Sequence, residues 1–91
     1  MTVRLGELAE KILGWAQGAI MEGTENADPL IRGYLRQAVE HGAINSEKRE
    51  EVLSFWQNLR KDIDRRCSRG VIEADLSYLR DCLGDLQAAR S

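Results

Sequence analysis

Apolar residues recur along the chain at alternating steps of three and four, and glycines and short polar runs divide the pattern into four amphipathic segments. The first predicts a helix over residues 2–22. Leu5, Leu8, Ile12, Trp15 and Ala19 form its main stripe, Ala9, Leu13, Ala16 and Ile20 widen it, and Gly23 follows as a C-terminal cap. After the polar run at 24–27, Asp28 and Pro29 read as a helix start: Asp accepts hydrogen bonds from the first free amides, and Pro needs no donor at the first helical position. The second predicted helix therefore covers 29–41, with Leu30, Ile31, Tyr34, Leu35, Ala38 and Val39 on one face and Gly42 beyond its end.

The third segment predicts a helix over 46–68, whose apolar face is Val52, Phe55, Trp56, Leu59, Ile63 and Cys67. Glu47, Glu50 and Glu51 near its start and Arg65, Arg66 and Arg69 near its end are in the order the helix dipole favours. The fourth covers 73–89, with Leu76, Leu79, Leu83 and Leu86 as a heptad-like seam. "GAINSE" at 42–47 and "GVIEAD" at 70–75 share one pattern, which reads as a turn solution used twice: a left-handed glycine, then an isoleucine packing back across the turn. Short connections favour antiparallel neighbours, so the expected fold is all-α, a single compact bundle of about four helices. The length of 91 residues suits one domain over 1–91 with one core, in which Trp15, Trp56, Phe55 and Tyr34 are the largest candidates.

Charge narrows the choice of partners. Thirteen basic and fifteen acidic residues give a net charge of −2, which exerts no global pull on nucleic acid or an anionic membrane. No apolar run approaches the roughly 18 residues of a membrane span, and Glu7, Glu10 and Lys11 interrupt any signal-peptide core. The expectation is a cytoplasmic protein without membrane association.

Candidate chemistry is sparse, which points away from an enzyme and gives no reason to expect a cofactor, a metal or a small-molecule substrate. The single histidine, His41, lies beside a helix end that favours a protonated imidazole, and Ala38 three residues before it rules out a Glu-x-x-His metal motif. Cys67 and Cys82 match no zinc spacing. A hairpin turning near Gly70 would set Cys67 opposite about residue 75 and leave Cys82 about 10 Å further along, so both are expected as free, apolar-side thiols. The run "LRKDID" at 59–64 resembles the Leu-Arg-x-x-Ile-Asp opening of the all-helical chorismate mutases; it departs from that family at Cys67, where an aspartate would recur.

Two surfaces remain. Arg60, Lys61, Arg65, Arg66 and Arg69 place five positive charges in ten residues, a candidate grip on phosphates for a nucleic-acid-binding regulator. Against it stand Asp62, Asp64 and i,i+4 pairing such as Asp62 with Arg66. Ala38 and Gly42 have the spacing of a helix-turn-helix, yet positions such motifs keep apolar carry Lys48 and Glu51.

The other surface lies on the first helix. At about 100° per residue, Gly14, Gly18 and Met21 fall opposite the core stripe, with Gly6 near its boundary. A glycine in an exposed helix costs up to about 1 kcal/mol relative to alanine. Either a second surface approaches closely there or the helix bends. The leading expectation is a non-enzymatic protein-protein interaction module, of adaptor, assembly-subunit, chaperone or inhibitor type, that presents this face to a protein partner or to its own copy as a homo-oligomer.

Overall fold

Four helices follow in chain order, α1 (Leu5–Glu22), α2 (Thr24–Glu40), α3 (Ser46–Asp64) and α4 (Arg69–Ala88), in a computed structural model that describes the backbone of residues 5–88 and the side chains of residues 7–84. Thr2, Val3 and Ala89, which the sequence pattern places in helices, lie outside the described residues, as do the side chains of Leu5 and Leu86 and the surroundings of Gly6.

The helices form a ring. α1 packs on α2 and α4, α3 packs on the same two, and α1 touches α3 across the middle, while α2 and α4 do not meet among the described residues. Contacts that pair rising with falling numbers show each neighbouring pair in sequence to be antiparallel: Trp15 with Tyr34, Thr24 with Asp64 and Asp28 with Trp56, and Glu51 with Cys82. Leu8 and Ile12 of α1, Ile31 and Leu35 of α2, Val52, Trp56 and Leu59 of α3, and Leu79 and Leu83 of α4 are fully buried in one cluster. Each large apolar side chain so removed from water contributes on the order of 1.5–3 kcal/mol. The radius of gyration, 12.6 Å, is close to the ~12 Å of a compact chain of this length.

The joints differ from the sequence expectation. The polar run at 24–27 is not a loop. α2 begins at Thr24, directly after Gly23 (φ +100°), and Pro29 sits inside it. Asp28 therefore does not cap the helix. The extra turn is held by tertiary contacts: Thr24 is only 2% exposed, its hydroxyl donates to Asp64 Oδ1 at 2.7 Å, and Asp28 accepts the indole N–H of Trp56 at 2.8 Å.

α2 ends as its glycine suggests. Gly42 (φ +75°) donates to Val39 O at 3.0 Å and Ala43 to Ala38 O at 2.8 Å, the paired bonds of a Schellman cap. Asn45 then caps α3, its side chain accepting from Lys48 N at 2.8 Å. The same cap recurs at the α3–α4 joint, but not at Gly70. Arg66 takes the left-handed conformation (φ +56°) and donates to Ile63 O at 3.0 Å, while Cys67 donates to Asp62 O at 3.0 Å. α3 therefore ends at Asp64, Cys67 lies in the joint and not on a helical face, and α4 starts at Arg69, four residues earlier than the predicted 73, with Gly70 in its first turn.

Candidate functional site

α1 runs unbroken through Gly14 and Gly18, which removes a helix break as the reason for the two glycines. A Cβ added at either position would meet nothing within 4 Å, so no other part of the described chain approaches them. The missing side chains instead open a shallow groove of about 210 Å³ between α1 and α2, bounded by Gly14 and Gly18 on one side and Ala27 and Leu30 on the other, with Trp15 and Ala19 in its floor. Trp15 is held edge-on to the Tyr34 ring, centroids 5.6 Å apart at 74°, and the Lys11 ammonium lies 5.3 Å over the same ring. Leu30 is 48% exposed at the rim, and Met21, three residues beyond Gly18, is 88% exposed. Three of the four proposed interface positions, Gly14, Gly18 and Met21, thus share the outward side of one unbroken helix; Gly6 lies beyond the described surroundings.

The basic cluster is divided. Arg60 turns into the α2–α3 seam, where its Nη1 lies 3.1 Å from Asp28 Oδ2 and its Nε 3.8 Å from Asp64 Oδ2. Arg69 pairs with Glu73 at 3.0 Å, and Lys61, Arg65 and Arg66 are exposed at the end of α3 without an ion-pair partner among the described residues. The centre of the seam is Asp28, which takes Trp56, both contacts of Arg32 Nε at 3.0 Å, and Arg60. Burial would raise the Asp28 carboxyl, but the hydrogen bonds from Trp56 and Arg32 and the charges of Arg32 and Arg60 outweigh it and hold it below the ordinary carboxylate range. Half of this network is visible in sequence as the i,i+4 pairs Asp28–Arg32 and Arg60–Asp64. The link to Trp56 spans 28 residues and has no local signal.

The remaining reactive groups are dispersed. Both cysteines are free. Cys82 is buried, its Sγ 3.5 Å from Glu51 Oε1, and burial pushes its thiol up to about 11, which keeps it protonated at neutral pH. The Cys67 thiol donates to Asp62 Oδ1 at 3.6 Å and is also raised, by burial first and then by the Asp62 charge. Asp75, facing Asp62 between α3 and α4, is pushed up to about 6 by burial first and then by the neighbouring Asp62 carboxylate; its Oδ2 is buried with no hydrogen-bond partner among the described residues. His41 is exposed at the C-terminal cap of α2. Among the described residues, no three His, Cys, Asp or Glu side chains are placed to hold a metal ion, and no helix is long and apolar enough to cross a membrane. Neither a protein-family model, nor a curated protein, nor a solved structure matches the chain.

Proposed function

We propose that the chain is a non-enzymatic protein-interaction module that takes a helix of a partner protein along the α1–α2 groove, with Gly14, Gly18 and Met21 on its contact face. The observation that carries this reading is the open space at Gly14 and Gly18 in an unbroken helix, beside Trp15 and half-exposed Leu30. Packed helices lie 8–10 Å apart, and small residues at the crossing allow the nearer spacing. A third helix laid in this groove would cover the glycines and bury Leu30 and Met21, which offsets the propensity lost at the two glycines. The nucleic-acid alternative has weaker support, because Arg60 and Arg69 are committed to carboxylates and only Lys61, Arg65 and Arg66 remain at the end of α3.

Replacing both glycines by leucine tests the reading without endangering the fold, since leucine is the better helix former and has room at both sites. Solution mass and capture from the native host are compared between the parent and the Gly14→Leu/Gly18→Leu variant. The expected result is a partner, or a dimer, present with the parent and lost with the folded variant. Identical captured proteins and identical mass for both would sink the proposal. Loss of mass alone would identify a second copy as the source of the helix.

A further inference from the structure

The other flank of α2 carries a different chemistry. A depression of about 340 Å³ between α2 and α3 is lined by Arg32, Gly33, Arg36, Arg49 and Leu53, so three guanidinium groups and, among the described residues, no carboxylate border it. Their partners within the chain leave donors over. Arg32 uses its Nε on Asp28, and its two terminal nitrogens make no hydrogen bond to another side chain among the described residues. Arg36 reaches Glu40 only through a 3.8 Å contact of Nε. Arg49 donates Nη2 to Glu50 at 3.0 Å, but its Nε is buried with no partner among the described residues.

An unpaired buried N–H is costly, and more so when it belongs to a charged group. A guanidinium cannot shed its charge, so the partly exposed Arg49 head favours an acceptor at the groove. Gly33 leaves room for one. It stands mid-helix between the two arginines of α2, and a Cβ there would meet nothing within 4 Å.

We infer that this groove receives an acidic side chain, a glutamate or aspartate of a protein partner, whose carboxylate is held by Arg49, Arg32 and Arg36 while its methylene carbons lie over Leu53 in the space left by Gly33. Planar guanidinium forks suit a carboxylate, and Leu53 suits its apolar stem. A phosphate offers the acceptors but has no stem. A nucleic-acid strand likewise presents phosphates without a methylene stem to lie over Leu53. The inference rests on the reading of the chain as a protein-interaction module and adds the chemistry of its partner, an acidic segment.

The test follows backbone amide NMR shifts of the full chain at low ionic strength, with blocked hexaglutamate as probe and blocked hexaglutamine, inorganic phosphate and single-stranded DNA as controls. Hexaglutamate is expected to move the amides of Gly33, Arg36, Arg49 and Leu53. Arg49→Gln should weaken it at least about tenfold, a loss of about 1.4 kcal/mol. Gly33→Glu, which supplies the carboxylate from within the chain, should remain folded and abolish the shifts. The Gly14→Leu/Gly18→Leu variant should bind hexaglutamate as the parent does, so failure at either groove is read separately. The inference is overturned if hexaglutamate leaves these amides unmoved, if Arg49→Gln or Gly33→Glu binds like the parent, if the glycine-to-leucine variant loses binding, or if phosphate, DNA or hexaglutamine moves the same amides at lower concentration.

Discussion

Trp56 has two physical roles that can be separated. Its ring is fully buried among the helices, and its indole N–H satisfies Asp28, which also holds Arg32 and Arg60. Trp56→Phe keeps most of the packing but leaves a partly buried carboxylate short of one donor, and should cost about 1–3 kcal/mol. Trp56→Ala adds the cavity and should cost about 3–5 kcal/mol. Urea unfolding of the two variants checks the order, and an unchanged stability in Trp56→Phe would show that the hydrogen bond contributes nothing. Asp75 gives a second expectation. Its folded-state pKa, about 6, lies above the ordinary 3.8, so its contribution to stability is full below about pH 4 and is lost as pH rises through 6. Asp75→Asn retains a neutral donor to Asp62 and removes that loss. The variant should match the parent near pH 4 and exceed it by about 1–2 kcal/mol at pH 8, allowing for solvent screening of a half-buried group. A constant difference between the two across that range would refute the assignment. Asp28, held low, acts in the opposite sense and loses its contribution as pH falls through its folded-state pKa.

At the scale of elements, the helical faces were legible because burial follows the 3.6-residue period: Leu8, Ile12 and Ala19, Ile31 and Leu35, Val52 and Leu59, and Leu79 and Leu83 are all core. The joints were legible only where the residue type encodes the backbone. Gly42 marks its left-handed cap, whereas Arg66 adopts the same conformation with a side chain that gives no sign of it, and Gly70 drew the predicted turn four residues too late. The start of α2 was hidden for another reason. Asp28-Pro29 is a strong local start signal, but Asp28 is engaged by Trp56 and Thr24 by Asp64, and these long-range bonds carry the helix back to Thr24 in spite of the proline. A proline in a helix interior removes the bond to the carbonyl four residues earlier, here that of Glu25, and costs roughly 3 kcal/mol. Pro29→Ala should therefore raise stability by about 1–3 kcal/mol, measured by thermal unfolding. No change, or a loss, would mean that the first turn of α2 is not held as described.

The molecule as a whole is a ring of four helices with two grooves beside α2 that differ in chemistry. One is largely apolar, with Glu22 and Asn26 in its lining, and is opened by Gly14 and Gly18; the other is cationic and opened by Gly33. The first was legible as a glycine face opposite the core stripe, although the groove itself also needs Ala27 and Leu30 of a helix turn that the sequence signals place outside α2 or at its very start. The second was not legible, because Arg49 joins Arg32 and Arg36 only when α3 folds back along α2. On the proposed function, the Gly18 side of α1 meets another protein. A photo-cross-linking amino acid placed at position 18 and, as a control, at exposed Ser77 of α4 tests it most directly in the native host. A discrete adduct at one mass from position 18, absent from position 77, is the expected result; no adduct at 18, or the same adducts from both positions, would contradict it.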